Sequence, residues 1–359
     1  MPCLLYTHEV GLNHANNYAY CQAGTSMVMT KGPQLGDSYE DDEDSFISFG
    51  MPSALNFRGL VGLRNSRRSE FVYGNGSRLC RFNPLTDTPG YRGQGYCGNL
   101  WEKYSYLGMS HTVISNYRGK FQENVIAAGA PRDNLNGVIR FFTNTYDLQF
   151  GGAVTRKLSN ILTGPSKGSY FGFSIVACDV NGDQIEDLIV GAPYYSRNTY
   201  EPNAGAIYIY INDEKKGFSN MVSFNYTGKS RSLFGHSIAC IGDIDKDGVN
   251  DFAVGAPYES DGAVYIFRGN SDIGKIKMSQ KLNAKDINHD LNEDLKGFGY
   301  SLSGGQDMDS NKYPDLAIGV LKTNAVLVLR SRPIVRIKTF IENYEILQEI
   351  DQKKKVNSF

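Results

Sequence analysis

Phe171-Gly172-Phe173-Ser174, then Asp179-Val180-Asn181-Gly182-Asp183-Gln184-Ile185-Glu186-Asp187, then Gly191-Ala192-Pro193: this stretch recurs along the chain, and its recurrence decides the fold. A second copy runs from Phe234-Gly235-His236-Ser237 through Asp243-Ile244-Asp245-Lys246-Asp247-Gly248-Val249-Asn250-Asp251 to Gly255-Ala256-Pro257. A third runs from Phe298-Gly299-Tyr300-Ser301 through Asp307-Met308-Asp309-Ser310-Asn311-Lys312-Tyr313-Pro314-Asp315 to Gly319-Val320-Leu321. The first acids, Asp179, Asp243 and Asp307, stand 64 residues apart. A weaker copy spans Leu107-Gly108-Met109-Ser110 to Gly129-Ala130-Pro131, and a fifth spans Ala23-Gly24-Thr25-Ser26 to Gly50-Met51-Pro52.

Within each copy, apolar runs of four to six residues flank the acidic loop: Ser174 to Cys178, Leu188 to Val190, Ala206 to Ile211, with counterparts at Ala263 to Phe267 and Ala325 to Leu329. Runs this short, rich in Val, Ile, Tyr and Phe, predict strands rather than helices. The glycine of Gly-Ala-Pro suggests a turn that a β-carbon would obstruct, and the proline cannot donate to a ladder and ends the strand. Three or four strands every 64 residues predict an all-β chain, a β-propeller with one sheet per blade. A composition of 39 Gly, 23 Tyr and 19 Phe among 359 residues suits short strands joined by tight turns.

The acids fall at loop positions 1, 3, 5 and 9. Side-chain oxygens there, with the carbonyl of position 7, can wrap one hard cation, and irregular all-oxygen sets of this kind favour Ca²⁺ over the stricter Mg²⁺. The expected ligands are Asp179, Asn181, Asp183, Ile185 and Asp187; Asp243, Asp245, Asp247, Val249 and Asp251; and Asp307, Asp309, Asn311, Tyr313 and Asp315. An EF-hand would place Glu at position 12, where Val190, Val254 and Ile318 stand. Gln184 and Lys312 replace the glycine of position 6 and are expected to carry backbone strain. The copy ending at Gly129 has Val125 in place of its last acid and is expected to hold no metal.

Other chemistry is excluded. A formal net charge of −1 without a long basic run argues against nucleic acid. Five scattered histidines make no zinc pattern. Gly93-Gln94-Gly95-Tyr96-Cys97-Gly98 spells a dinucleotide fingerprint with no strand before it and no helix after it. The Gly-x-Ser at Gly172, Gly235 and Gly299 lacks the closing glycine of a nucleophile elbow and recurs with the repeat, which makes it architecture. The first ten residues have neither the basic start nor the apolar run of a signal peptide.

Phe-Gly and Gly-Ala-Pro framing an acidic loop resemble the FG-GAP repeats of integrin alpha chains, over about residues 18 to 340. Tyr20-Cys21-Gln22-Ala23-Gly24 with Gly50-Met51-Pro52-Ser53-Ala54-Leu55-Asn56-Phe57-Arg58-Gly59 is similar to the family's third blade, and Leu329-Arg330-Ser331-Arg332-Pro333 to its exit into an immunoglobulin-like thigh domain. Ser105-Tyr106-Leu107-Gly108 and the exit segment are most similar to laminin-receptor alpha chains. The family propeller has seven blades. The resemblance implies a remnant of blade two at 1–17, blades three to seven at 18–330, and the start of the thigh at 331–359.

It further implies a cell-surface adhesion receptor, not an enzyme, that pairs with an integrin beta subunit and meets a matrix ligand such as laminin. The alternative is the accessory propeller of a secreted phospholipase D, whose zinc-binding catalytic domain is not encoded here. In the family, aromatics at the propeller axis grip an arginine of the beta subunit, and the positions around Phe-Gly nominate Tyr106, Tyr170 and Phe173. Relatives that bind Arg-Gly-Asp carry an Asp before blade four; Asp87, the only acid between Cys80 and Leu100, is out of register with it. Cys3 and Cys21 resemble a family disulfide, Cys80 and Cys97 bracket an insertion they could close, and Cys178 and Cys240 are expected as buried free thiols. Asn75 and Asn225 begin glycosylation sequons.

Overall fold

The computed structural model describes residues 25–31, 45–52, 60–65, 69–72, 104–117, 125–147, 152–219, 222–291 and 295–333. These form five antiparallel sheets in series. The first contains β1 (Met27–Lys31), β2 (Ser45–Met51), β3 (Leu60–Asn65) and β4 (Ser69–Val72). The second contains β5 (His111–Ile114), β6 (Val125–Ala130), β7 (Val138–Asp147) and β8 (Gly152–Thr163). The third contains β9 (Ser174–Cys178), β10 (Asp187–Ala192) and β11 (Ala206–Tyr210); a hairpin of β12 (Asn212–Asp213) and β13 (Gly217–Phe218) then precedes its outer strand, β14 (Phe224–Thr227).

The fourth sheet contains β15 (Ser237–Gly242), β16 (Asp251–Ala256), β17 (Ala263–Arg268) and β18 (Lys277–Asn283), followed by the single described α-helix, α1 (Ala284–Leu291). The fifth has three strands, β19 (Phe298–Gln306), β20 (Asp315–Val320) and β21 (Ala325–Leu329). Each sheet is a meander whose first strand packs against the first strand of the next, in the order β1, β5, β9, β15, β19. This is the blade arrangement expected from the repeats. No described helix is long and apolar enough to cross a membrane.

The second strands of the second, third and fourth sheets, β6, β10 and β16, are buried along their whole length because sheets cover both of their faces. In β10, Leu188 and Val190 join a core with Val125, Ala127 and Ile139 of the second sheet, while Ile189 joins Val254, Tyr265 and Phe267 of the fourth. Strand alternation therefore distributes side chains between two cores, and the sequence reads as a continuous apolar run rather than an alternating one. Each such Leu, Ile or Val contributes about 1.5–3 kcal/mol relative to exposure.

The repeat's small residues build the junctions. A β-carbon on Gly191 would stand 2.2 Å from the Gly235 carbonyl oxygen, and one on Gly255 would stand 2.1 Å from that of Gly299. The same approach joins Gly129 to Gly172 and Gly50 to Gly108. The glycine of Gly-Ala-Pro thus serves close approach of the next sheet inside a strand, not the turn expected from sequence. The turn belongs to the Phe-Gly glycine, whose φ is +84° to +88° in four copies. Its N–H donates to its own sheet's Gly-Ala-Pro glycine, as in Gly172 to Gly191 at 3.0 Å. Its carbonyl accepts the serine hydroxyl of the preceding sheet: Ser110 to Gly172 at 2.8 Å, Ser174 to Gly235 at 2.7 Å and Ser237 to Gly299 at 2.8 Å. The Gly-x-Ser serines are joinery, as expected.

Candidate functional site: cation loops and an aromatic rim

Three acidic loops connect first to second strands, and all three fold alike. At position 1, Asp179 accepts the N–H groups of Gly182 and Gln184, Asp243 those of Asp247 and Gly248, and Asp307 those of Asn311 and Lys312, at 2.7–3.1 Å. At position 5, Asp183, Asp247 and Asn311 each accept the N–H two residues on. Such turns tolerate left-handed backbone, and two residues per loop adopt it: Gly182 and Gln184, Lys246 and Gly248, Ser310 and Lys312. The strain expected at Gln184 and Lys312 is present; the same conformation at Lys246 and Ser310 was not foreseen.

In the second and third loops the carboxylates converge. Ligand oxygens of Asp243, Asp245 and Asp247 lie within 4.8 Å of one another, as do those of Asp307, Asp309 and Asp315. Two oxygens on one Ca²⁺ at roughly 2.4 Å can be no farther apart than that, so the donor sets fit a calcium ion. Three like charges this close repel unless a cation lies among them. Arg268, 3.0 Å from Asp245, offsets part of that charge in the second loop. In the first loop Asn181 replaces a carboxylate, and its amide donates to Asp183 at 2.9 Å.

Position 9 has a second task that the sequence did not reveal. Asp187 accepts the N–H of Val180 in its loop and that of Asn212 beyond the third strand. Asp251 does the same with Ile244 and Gly269, and Asp315 with Met308 and Ser331. These buried carboxylates pin loop to sheet, and each oxygen keeps a further lone pair for an ion. Burial, reinforced by the neighbouring loop acids, pushes Asp187 up to about 8 and Asp251 up to about 7, while the backbone donors act in the opposite sense.

Connections between second and third strands leave from the opposite end of each sheet, and aromatic side chains gather there. Phe173, His236 and Tyr300 occupy the x position of successive Phe-Gly-x-Ser motifs and form a ladder of tilted rings, with centroids 5.0 Å and 4.5 Å apart. Tyr170 meets Tyr194 at 4.9 Å. Burial raises the Tyr194 phenol, helped by the phenols of Tyr170, Tyr258 and Tyr300 nearby. Tyr194 and Tyr258 are 40% and 53% exposed. Arg132 lies over the Tyr106 ring, 5.2 Å from its centroid. Of the nominated residues, Tyr170 and Phe173 belong to this cluster and Tyr106 is engaged by Arg132. Sequence reasoning missed Tyr194, Tyr258, His236 and Tyr300; tyrosine after Gly-Ala-Pro, and the aromatics after Phe-Gly, were the available signals.

Cys178 and Cys240 are not free thiols as expected but form a disulfide between the third and fourth sheets. Burial was foreseen, but their pairing across a junction was not. Asn225 is exposed on β14, and Arg197 donates to the hydroxyl of the sequon's Thr227. The expectations for Cys3, Cys21, Cys80, Cys97, Asn75 and Asp87 lie outside the described residues.

The FG-GAP repeat family matches residues 171–210 and 234–267. Integrin alpha-3 of Cricetulus griseus is 36% identical over 323 residues, covering 88% of this chain and 27% of the relative. Integrin alpha-7 of Homo sapiens is 38% identical over 322 residues, covering 88% and 25%. Integrin alpha ina-1 of Caenorhabditis elegans is 37% identical over 266 residues, covering 69% and 23%. The chain thus spans about a quarter of the length of the relatives it matches. Sharing their sequence over most of its own length, and carrying FG-GAP repeats in two of its five like sheets, the chain belongs to the integrin alpha family.

Proposed function

We propose that the chain is part of the ligand-binding head of a cell-matrix adhesion receptor, which pairs with an integrin beta subunit across the aromatic rim. Its loops bind Ca²⁺ as structural braces. The observation that carries the pairing is the rim itself: Tyr194 and Tyr258 stand exposed on the connections that follow β10 and β16, beside an aromatic ladder that ends on the exposed Tyr300 of β19. Tyrosines held on rigid elements are strong interface residues, and their ring faces suit an arginine or lysine from the partner. By kinship with integrins alpha-3, alpha-6 and alpha-7 the matrix ligand is laminin, and the receptor is not an enzyme. The Cys178–Cys240 disulfide and the exposed sequon at Asn225 support a place on the extracellular face of the plasma membrane. In the domain layout, residues 18–330 are blades three to seven, 1–17 a remnant of blade two and 331–359 the start of the thigh.

The test is co-expression of the receptor with an integrin beta subunit, followed by capture of the beta chain from the cell surface. Tyr194→Ala with Tyr258→Ala should lower recovered heterodimer at least tenfold, while calcium-dependent thermal stability of the alpha chain stays within a few degrees. Undiminished pairing would remove the rim from the interface.

A further inference from the structure

The first two loops are tied to each other as well as to their own sheets. Cys178 ends β9 one residue before Asp179, and Cys240 lies in β15 three residues before Asp243; their disulfide joins positions 62 residues apart. Asn250, inside the second loop, donates its N–H to the Asp179 carbonyl at 3.3 Å. Asn270, just past β17, donates to the Val180 carbonyl at 2.9 Å. A β-carbon on Gly182 would stand 3.1 Å from a Val249 methyl, so the loop tips are in contact. Val180 itself is fully buried in the core that the third sheet shares with the fourth. Between the second and third loops Lys246 lies over the Tyr313 ring and Pro314 packs against Gly242, while the backbones of Cys240 and Ile241 meet Gly305 and Gly304 just before the loops.

We propose that loops 179–187 and 243–251 form one coupled cation-binding unit, with Cys178–Cys240 as its positioning tie. The proposal rests on the calcium reading of the loops. Backbone at the first two residues of loop one is held by the neighbouring sheet, and the bond to Asp179 comes from loop two itself, so an ion that orders loop two also orders Asp179. Loop one, with an amide in place of one carboxylate, gains most from that preordering. The disulfide restricts sliding of β9 past β15; without it, apolar packing still joins the sheets, but each loop must be ordered at its own entropic cost.

Native mass spectrometry of chelator-stripped chain carrying Asp307→Ala, titrated with Ca²⁺ alone, counts zero-, one- and two-ion species directly. Two independent equal sites put about half of the chains in the one-ion state at its maximum, and unequal sites put more there. For equal sites a coupling of fivefold or greater holds that state below about a third, and chains that also carry Asp179→Ala or Asp243→Ala give the intrinsic affinity of each site for comparison. The expected result is suppression below a third in the disulfide-bonded chain, and a rise to half or above with Cys178→Ala and Cys240→Ala. The same rise should follow dithiothreitol treatment of folded chain, which supplies the two electrons and two protons that convert the disulfide to two thiols. A one-ion population in the bonded chain as large as the two single-site affinities give for independent sites overturns the coupling. Suppression that persists without the disulfide overturns its role as the tie. A chain that binds no calcium overturns the calcium reading and this proposal with it, and is recognised by the absence of any ion-bound species.

Discussion

His111 occupies a position that the other repeats give to Ile175, Ile238 and Leu302, the residue after the serine of Phe-Gly-x-Ser. It is buried between the first two sheets, with Nδ1 2.5 Å from the Ser26 hydroxyl and Nε2 2.8 Å from that of Ser48. Ser26 gives its proton to the Gly108 carbonyl, as its counterparts do at the other junctions. Nδ1–H therefore donates to Ser26, and in the neutral imidazole Nε2 accepts from Ser48 in competition with the Val28 carbonyl, 3.2 Å from the same hydroxyl. Burial pushes His111 down to about 4 from 6.5. The unfolded chain takes up the proton first, so this contribution to stability is complete above pH 6.5 and lost as pH falls towards 4. Its ceiling is on the order of 3 kcal/mol at one pKa unit per 1.36 kcal/mol. Thermal unfolding from pH 7 to 4 should show wild type losing stability relative to His111→Gln, whose amide keeps a donor and an acceptor at every pH; parallel curves would mean the imidazole protonates without resistance. The repeat register alone places His111 in a strand among apolar counterparts. Its serine partners were hidden because they come from the weakest copy, where Phe-Gly has become Ala23-Gly24.

The acidic loops were the most legible elements, because metal chemistry needs oxygens at fixed spacing and leaves them in the sequence. Positions 1, 3 and 5 converge in the second loop as the spacing predicts. Positions 4 and 9 were read incompletely, since left-handed backbone at Lys246 and Ser310 has no glycine to announce it, and double hydrogen bonding by Asp187 depends on a partner, Asn212, from another strand. The raised values at Asp187 and Asp251 have opposite consequences with and without the ion. Metal-free, the folded chain holds a proton the unfolded chain has released, so this contribution is complete below pH 3.8 and fades as pH rises through about 8 and about 7. Calcium has to displace that proton, so its affinity should fall as pH drops below those same values. Calorimetry at pH 7 in two buffers of different ionisation heat should therefore count roughly one half to one proton released per ion at loops one and two. Identical heats in both buffers would show that these carboxylates are already ionised.

At the scale of the molecule, the 64-residue period foretold five like sheets, and five are present. The helix α1 was not foreseen, because its eight residues lie between two repeats, where no periodicity constrains the reading. Nor did the sequence show how similar the junctions are: four times a serine hydroxyl and a bare glycine receive the next sheet's Phe-Gly-type carbonyl. The fifth sheet keeps the same receiving pair, Ser301 and Gly319, yet the three atoms nearest a β-carbon on Gly319 all belong to Ser301. Ser301, Gly319 and Val326 are in register across this sheet, as are Ser303, Ala317 and Val328. That face is flat and small-featured, with Val326 67% and Val328 43% exposed, and the outer edge of β21 has no strand beside it among the described residues. Among the described residues, the first and last strands of the series, β1 and β19, share no packed interface to close it. Unpaired edges and apolar sheet faces drive association, so residues 1–359 by themselves should self-associate through the fifth sheet. Size-exclusion chromatography over a concentration series should show a rising oligomer fraction. Val326→Lys with Val328→Lys should return the chain towards monomer without changing its calcium-dependent melting. Supplying a further FG-GAP repeat in the same polypeptide should have the same solubilising effect, since its glycine carbonyl would fill the socket at Ser301 and Gly319. A monodisperse, calcium-dependent monomer from residues 1–359 alone would show instead that five sheets close on themselves.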